Sequence, residues 1–209
     1  MKIVISAGPT RERIDAVRFL SNRSSGKMGF ALAGAAAEAG FDTVLVAGPV
    51  HLETPAGVRR IDVESAAEMA TAVKREAADA DIVIMAAAVA DYRPKQQLSG
   101  KMKKKDGDLT LELERTEDIL KSLGETKRPG QILIGFAAET ENLEQYALDK
   151  LKRKNLDWIA ANDVSRSDIG FGSDANAVTL YGRSGEKIAL PIASKAEIAA
   201  ALLKTCSAR

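Results

Sequence analysis

The 209-residue sequence predicts an α/β fold: a Rossmann-like three-layer arrangement with an open, mostly parallel sheet, helices on both faces and a projecting β-hairpin arm. Three observations carry this. Short apolar runs rich in β-branched residues, such as Lys2-Ile3-Val4-Ile5-Ser6-Ala7, end in glycine or small residues, as buried parallel strands do. They alternate with stretches of helical period in a β-α-β-β-α-β rhythm. Their ends at Gly8, Gly48 and Ala86-Ala87-Ala88 would then share the carboxyl edge, where ligands of open α/β sheets gather.

Lys2 to Ala7 is a central strand closed by Gly8-Pro9. No G-x-G-x-x-G turn follows; Gly8-Pro9-Thr10-Arg11-Glu12 opens an insertion that carries Arg11, Arg13, Arg18 and Arg23. A helix runs from about Gly26 to Ala39, with Gly34 among alanines for close packing, and Gly40 stops it. Thr43 to Ala47 is a strand ended by Gly48-Pro49, where a nicotinamide enzyme would place an acid for the ribose; the nearest acid is Glu53. Val58 to Val63 is a strand, Ser65 with Glu68 forms a capping box, Ala66 to Ala78 is a helix and Asp81 to Met85 a strand. The arm covers about 95–115, with Asp106-Gly107 as its turn and Leu109, Leu111 and Leu113 alternating with Thr110, Glu112 and Glu114. Thr116 is expected to cap a short helix reaching about Leu123. Strands follow at Gln131 to Phe136 and Leu156 to Ala160, then a closing hairpin of Ala177 to Tyr181 with Lys187 to Leu190. Helices span about Asn142 to Lys154 and Ser194 to Lys204.

Composition narrows the function. With 45% hydrophobic residues, residues 1–209 suffice for one well-buried domain and are short for two. Thirty basic against 29 acidic residues leave a net charge of +1, so no global field argues for nucleic acid or an anionic membrane. The single cysteine, Cys206, excludes a disulfide framework and fits a reducing cytoplasm; no apolar run of membrane-spanning length is present. One histidine and one cysteine cannot build a structural zinc site, whereas Mg2+ escorting phosphates needs few protein ligands.

The stretch Ser21-Asn22-Arg23-Ser24-Ser25-Gly26-Lys27-Met28-Gly29 opens the first helix, where free amides and the helix dipole suit a phosphate or carboxylate. The plain alternative is an ordinary N-cap at Ser24 or Ser25. It is not a P-loop, because Ser21 and Met28 stand where that motif needs Gly and Ser or Thr. Two further cation sources lie near strand ends: the arm lysines, beginning at Lys101, and the pair Lys150 and Lys154, four apart on one helix face. The plain reading of each is a solvated surface, strongest at the helix end, where cations favour their own dipole.

Taken together, Ser6 to Glu12, Val17 to Asn22 with Ser-Ser-Gly-Lys-Met-Gly behind it, Ala86 to Arg93, Gly135 to Thr140 and Ala161-Asn162-Asp163-Val164 resemble bacterial phosphopantothenoylcysteine synthetase over nearly the whole chain. The resemblance implies a ligase in which CTP, with Mg2+, activates 4'-phosphopantothenate as an acyl-cytidylate before L-cysteine displaces CMP. It implies Asn22 and Arg18 for the acyl-cytidylate step and Lys101, in Lys101-Met102-Lys103-Lys104, for conversion of that intermediate. It assigns the nucleotide to Ala88, Asp91, Lys101, Glu117, Asp118, Ile119, Leu120, Phe136, Lys150 and Lys154, beside Ser24, Ser25 and Gly26. Glu117 departs from the proline common there. The resemblance also implies a homodimer. Its bacterial members are commonly fused to a flavin-dependent decarboxylase; no flavin is expected in this chain. Which residues hold the metal is left open.

Two rivals stand beside it. Tyr146-x-x-x-Lys150 has the spacing of short-chain dehydrogenases, yet their glycine-rich turn is absent and Leu133 stands where their serine falls. A non-catalytic nucleotide-binding homologue would show an acid at 22 or a neutral residue at 101, and neither is present.

Overall fold

The computed structural model describes residues 1–103, 107–139, 142–163 and 173–207, with the side chains of 139 and 163 left aside. The elements in order are β1 (Lys2–Ala7), β2 (Arg11–Arg13), β3 (Phe19–Ser21), α1 (Lys27–Glu38), β4 (Asp42–Ala47), β5 (Val58–Asp62), α2 (Ala66–Ala77), β6 (Ile82–Met85), β7 (Tyr92–Pro94), β8 (Leu113–Arg115) and α3 (Ile119–Thr126). Then come β9 (Ile132–Glu139), α4 (Leu143–Arg153), β10 (Trp158–Asp163), β11 (Ala175–Gly182), β12 (Lys187–Ser194) and α5 (Lys195–Ser207).

Eight strands form one sheet in the order β12-β11-β10-β9-β6-β1-β4-β5. The six from β10 to β5 run parallel, and the β11–β12 hairpin adds an antiparallel edge. The chain winds outward from β1 in both directions, so the crevice between β1 and β6 is the switch point of the sheet. Alternation in β1 divides the core: Val4 faces the layer of α2, α3 and α4, while Ile3 and Ile5 face that of α1 and α5. This is the expected three-layer sandwich with helices on both faces.

Glycines set how closely the first helix approaches. A Cβ on Gly29 would collide with the Ala7 side chain and stand 3.0 Å from the Ser6 carbonyl oxygen, so α1 lies directly on β1. Gly26, at φ +78, would place a Cβ 3.3 Å from Gly8 Cα, which joins the start of α1 to the turn after β1.

Several local expectations change. Thr116 does not cap α3; its hydroxyl donates to the Ala90 carbonyl, and Asp118 accepts from the Lys121 amide as N-cap instead. Neither Ser24 nor Ser25 caps α1, which starts from Gly26 without a side-chain cap. In the Ser65 capping box, Glu68 reaches back one residue further than expected, accepting from the Glu64 amide at 2.7 Å.

The arm pairs at its base, Tyr92–Pro94 against Leu113–Arg115; Leu109 and Leu111 lie outside any strand, and Lys104, Lys105 and Asp106 lie outside the described residues. Its backbone also meets the insertion, with Leu98 N donating to Ile14 O at 3.1 Å. The insertion is itself an unexpected hairpin, β2 against β3.

Candidate functional site

At the carboxyl edge, the β1 and β6 ends are locked together. Ala88 N donates to Gly8 O at 2.9 Å, Ala87 N to the Ser6 hydroxyl at 3.1 Å and Ala90 N to the Thr10 hydroxyl at 3.0 Å. Small residues at 86–88 keep this edge open, and two adjoining cavities share Ala87, Ala88, Phe136 and Ala138 as a common wall.

The larger cavity, about 310 Å³, brings together Ala88, Asp91, Glu117, Asp118, Ile119, Leu120, Phe136, Lys150 and Lys154, every nucleotide residue anticipated from the arm's flanks and from α4 except Lys101. Met85, Val89, Thr116 and Ala138 also line it and were not assigned to the nucleotide, as does Ala87 of the small-residue edge at 86–88. Its cations are held in place. Lys154 Nζ donates to Asp118 at 2.8 Å, and Lys150 Nζ to the Phe136 carbonyl oxygen at 2.9 Å. Burial works to raise the Asp118 carboxyl, but hydrogen bonds from Lys154 and the Lys121 amide, with the charges of Lys154 and Lys150, outweigh it and hold it below its ordinary range. Lys74 of α2 and then the Ser122 hydroxyl of α3 hold the Glu117 carboxylate low.

The smaller cavity, about 150 Å³, opens at the start of α1 and is lined by Ser24, Gly26, Met28, Gly29, Asn162 and Asn176, beside Ala86 and the shared wall. Ser25 lines neither cavity. Asn162 stands at a strand end already singled out in the sequence. Asn176 gave no signal, because only an antiparallel β11 returns its first residues to the carboxyl edge of the parallel strands.

The remaining expected residues stand outside both cavities. Asn22 Nδ2 donates to Ala88 O at 3.0 Å and Val89 O at 3.3 Å, so it holds the backbone of the shared wall at Ala88. Arg18 is paired with the buried Asp15 at 2.5 Å and donates to Met102 O at 3.2 Å, so it ties the insertion to the arm. Arg18, followed by the Val17 amide, holds the Asp15 carboxyl far below its usual range. Arg13 pairs with Glu64 and Arg11 lies over the Phe19 ring at 4.5 Å, so much of the insertion's guanidinium supply is structural. Lys101 is exposed on the arm. Cys206 is buried in the α5 layer, which pushes its thiol up to about 12 and leaves it inert.

Among the described residues, no three or more His, Cys, Asp or Glu side chains converge on a metal position. Of the cavity carboxylates, Asp118 and Glu117 are engaged by lysines, whereas the Asp91 side chain has no hydrogen bond or ion pair among the described residues. One such carboxylate fits a cation that arrives on phosphates with its own water. Among the described residues no helix is long and apolar enough to cross a membrane. The dehydrogenase reading finds no support: Tyr146 is 50% exposed on α4, and Leu133 is buried in β9.

Comparison with known proteins agrees with this architecture. The coenzyme A biosynthesis bifunctional protein CoaBC is similar to the chain: 53% identical over 207 residues in Bacillus subtilis, covering 99% of this chain and 51% of that protein. In Escherichia coli K12 the figures are 48% identity over 198 residues, 93% and 48%. The chain thus spans about half the length of these relatives. The crystal structure of the C-terminal domain of a CoaBC protein superposes with a TM-score of 0.84 at 48% identity, covering 98% of this chain and 92% of that one. A Cab2 mutant in complex with phosphopantothenate-cysteine shares the fold, with a TM-score of 0.77 at 17% identity, covering 98% of this chain and 85% of that one. Residues 1–208 match a single family, and the chain belongs to it: the DNA/pantothenate metabolism flavoprotein C-terminal domain.

Proposed function

We propose that this chain is a CTP-dependent phosphopantothenate–cysteine ligase of coenzyme A biosynthesis. The observation that carries the reading is the larger cavity beyond the carboxyl end of β6 and beside β9, where two lysines of α4 meet the cap of α3 in a family whose CoaBC members match this chain at about half identity. In the proposed first step a phosphopantothenate carboxylate oxygen attacks the α-phosphorus of CTP; a P–O bond forms and the bond to pyrophosphate breaks. Lys150 and Lys154 neutralise phosphate charge once they leave the Phe136 carbonyl and Asp118. The α1 start at Ser24, Ser25 and Gly26 adds the positive end of a helix dipole. Mg2+ would accompany the phosphates and neutralise part of their charge, with Asp91 available to it.

In the second step the cysteine amine attacks the acyl carbonyl. The C–N bond forms, the C–O bond to phosphate breaks with its electron pair leaving on CMP, and the nitrogen releases a proton to solvent. Asn22 positions the Ala88–Val89 turn beside the reacting groups, and Lys101 reaches the site from the arm. Residues 1–209 act as the ligase unit, as a homodimer in a cytoplasmic setting, with a flavin-dependent decarboxylase as fused or separate partner.

Pyrophosphate release measured with phosphopantothenate, cysteine and either CTP or ATP tests the reading. Release that depends on the carboxylate substrate and prefers CTP is expected. No release with either nucleotide overturns it.

A further inference from the structure

The end of α4 carries contacts that the helix itself does not need. Asn155 follows the helix at φ +54, a left-handed conformation that glycine usually fills at this position. Its amide donates to the Lys152 carbonyl at 3.2 Å and the Leu156 amide to the Leu151 carbonyl at 3.0 Å, so backbone alone closes the helix. The two ends of the side chain reach elsewhere. Nδ2 donates to Gly124 O in α3 at 2.7 Å, and Oδ1 accepts from Arg183 in the turn between β11 and β12. The Asn155 carbonyl also accepts from Lys127 Nζ, at the end of α3, at 3.0 Å. Here the two helices touch at the backbone, since a Cβ on Gly124 would collide with the Lys154 carbonyl oxygen. At its start α3 meets α4 again through the Asp118–Lys154 pair at 2.8 Å. The eight-residue α3 is therefore held to α4 at both ends, and Ile119 and Leu120 of α3, with Thr116, Glu117 and Asp118 before them, form one side of the larger cavity.

We infer that Asn155 is a positioning residue that sets the width of the larger cavity and, through it, the choice between a one-ring and a two-ring nucleotide base. This rests on the ligase reading above and deepens it by naming what selects the nucleotide. At about 310 Å³ the cavity stands at the lower end of small-ligand sites, which begin near roughly 300 Å³, so a small shift of one wall changes which base enters. Asn155 does not line the cavity and acts on it only through α3. In the ligase reading, phosphates draw Lys154 off Asp118, which releases the start of α3. The ties at Asn155 then keep α3 against α4 while the base is bound. Glycine at 155 would preserve the left-handed cap and delete both side-chain bonds, which leaves the Gly124 carbonyl to water and lets α3 swing outward.

Steady-state pyrophosphate release by the full chain, measured with CTP and with ATP, tests this. Asn155→Gly should raise the CTP KM about three- to tenfold, lower the preference for CTP over ATP in kcat/KM by a similar factor, and leave kcat with CTP and the cysteine KM within about twofold. Its urea midpoint should stay close to that of the wild type, because glycine suits the cap. Gly124→Ala drives α3 off the Lys154 carbonyl without altering Asn155 and should shift the preference the same way, which covers an Asn155 variant that fails to fold. A purely structural tie would lower kcat for both nucleotides alike and leave their ratio unchanged. That pattern overturns the inference, as does a folded variant with the CTP KM and the CTP-to-ATP ratio of the wild type. A wild type that releases no pyrophosphate with either nucleotide overturns the ligase reading, and this inference with it.

Discussion

Asn22 has both its recorded hydrogen bonds on the carbonyls of Ala88 and Val89, so an Asp there would set a carboxylate against two carbonyl oxygens. As a bare turn residue Asn22 would exchange silently with Asp; bonded to two carbonyl oxygens, it is expected not to. Asn22→Asp should slow single-turnover acyl-cytidylate formation about tenfold or more, because repulsion from both carbonyls displaces the Ala88–Val89 backbone that walls the cavity. A normal rate in a folded mutant removes Asn22 from the machinery. The Lys150 and Lys154 pair was readable from helical spacing, although the Asp118 clamp on Lys154 was not. Lys150→Ala/Lys154→Ala should weaken CTP binding by calorimetry at least tenfold, since hydrogen bonds to charged groups contribute about 1.5–3 kcal/mol each. Equal affinity in the double mutant would clear both lysines of a phosphate role.

At the scale of elements, the contact of α1 with β1 and the joining of β1, β5 and α2 each depend on one residue. Gly29→Ala inserts a methyl where the Ala7 side chain and Ser6 carbonyl already stand, so α1 must lift from β1. A loss of about 1–3 kcal/mol in urea unfolding is expected, with the smaller cavity distorted because Gly29 lines it. Glu76 on α2 draws in Lys2 of β1 at 3.3 Å, Arg59 of β5 at 2.5 Å and Arg75 at 3.1 Å. Arg59, against the cost of burial and with help from Lys2 and Arg75, holds the carboxyl at about 2 rather than its usual 4.5. Because the folded value is lowered, the stabilisation is complete above about pH 4.5 and is lost as pH falls towards 2. Arg59 and Arg75 are more than half exposed, so solvent screens the cluster and Glu76→Gln should cost only about 1–2 kcal/mol at pH 7. The wild-type advantage in urea midpoint should close near pH 2; a gap independent of pH would refute the charge account.

For the molecule as a whole, the β2–β3 hairpin and the β7–β8 ribbon lie side by side and expose Val17, Phe19, Tyr92 and Leu113, between 44% and 61% accessible. Apolar groups gathered on two neighbouring projections fit the proposed homodimer. Val17→Glu/Phe19→Glu should shift light scattering from dimer to monomer at micromolar concentration while the far-UV spectrum stays unchanged; a wild type that is monomeric at that concentration refutes the dimer.

The sequence by itself determined the layers and the edge on which the candidate site lies. Hydrophobic period and glycine punctuation act over a few residues, so the eight strands of the main sheet, α1 with its Gly40 stop and the small-residue ends at Gly8 and Ala86 to Ala88 were readable. What tertiary structure decided is everything that joins distant segments. The partners Asp15, Glu64 and Asp118 turned three cations into ion pairs. The arm's pairing at Tyr92 and Arg115, 23 positions apart in numbering, was hidden because strand partners carry no mark in local period. Asn176 entered the site only because β11 reverses direction beside β10, and reversal is a property of the sheet that no window of sequence contains.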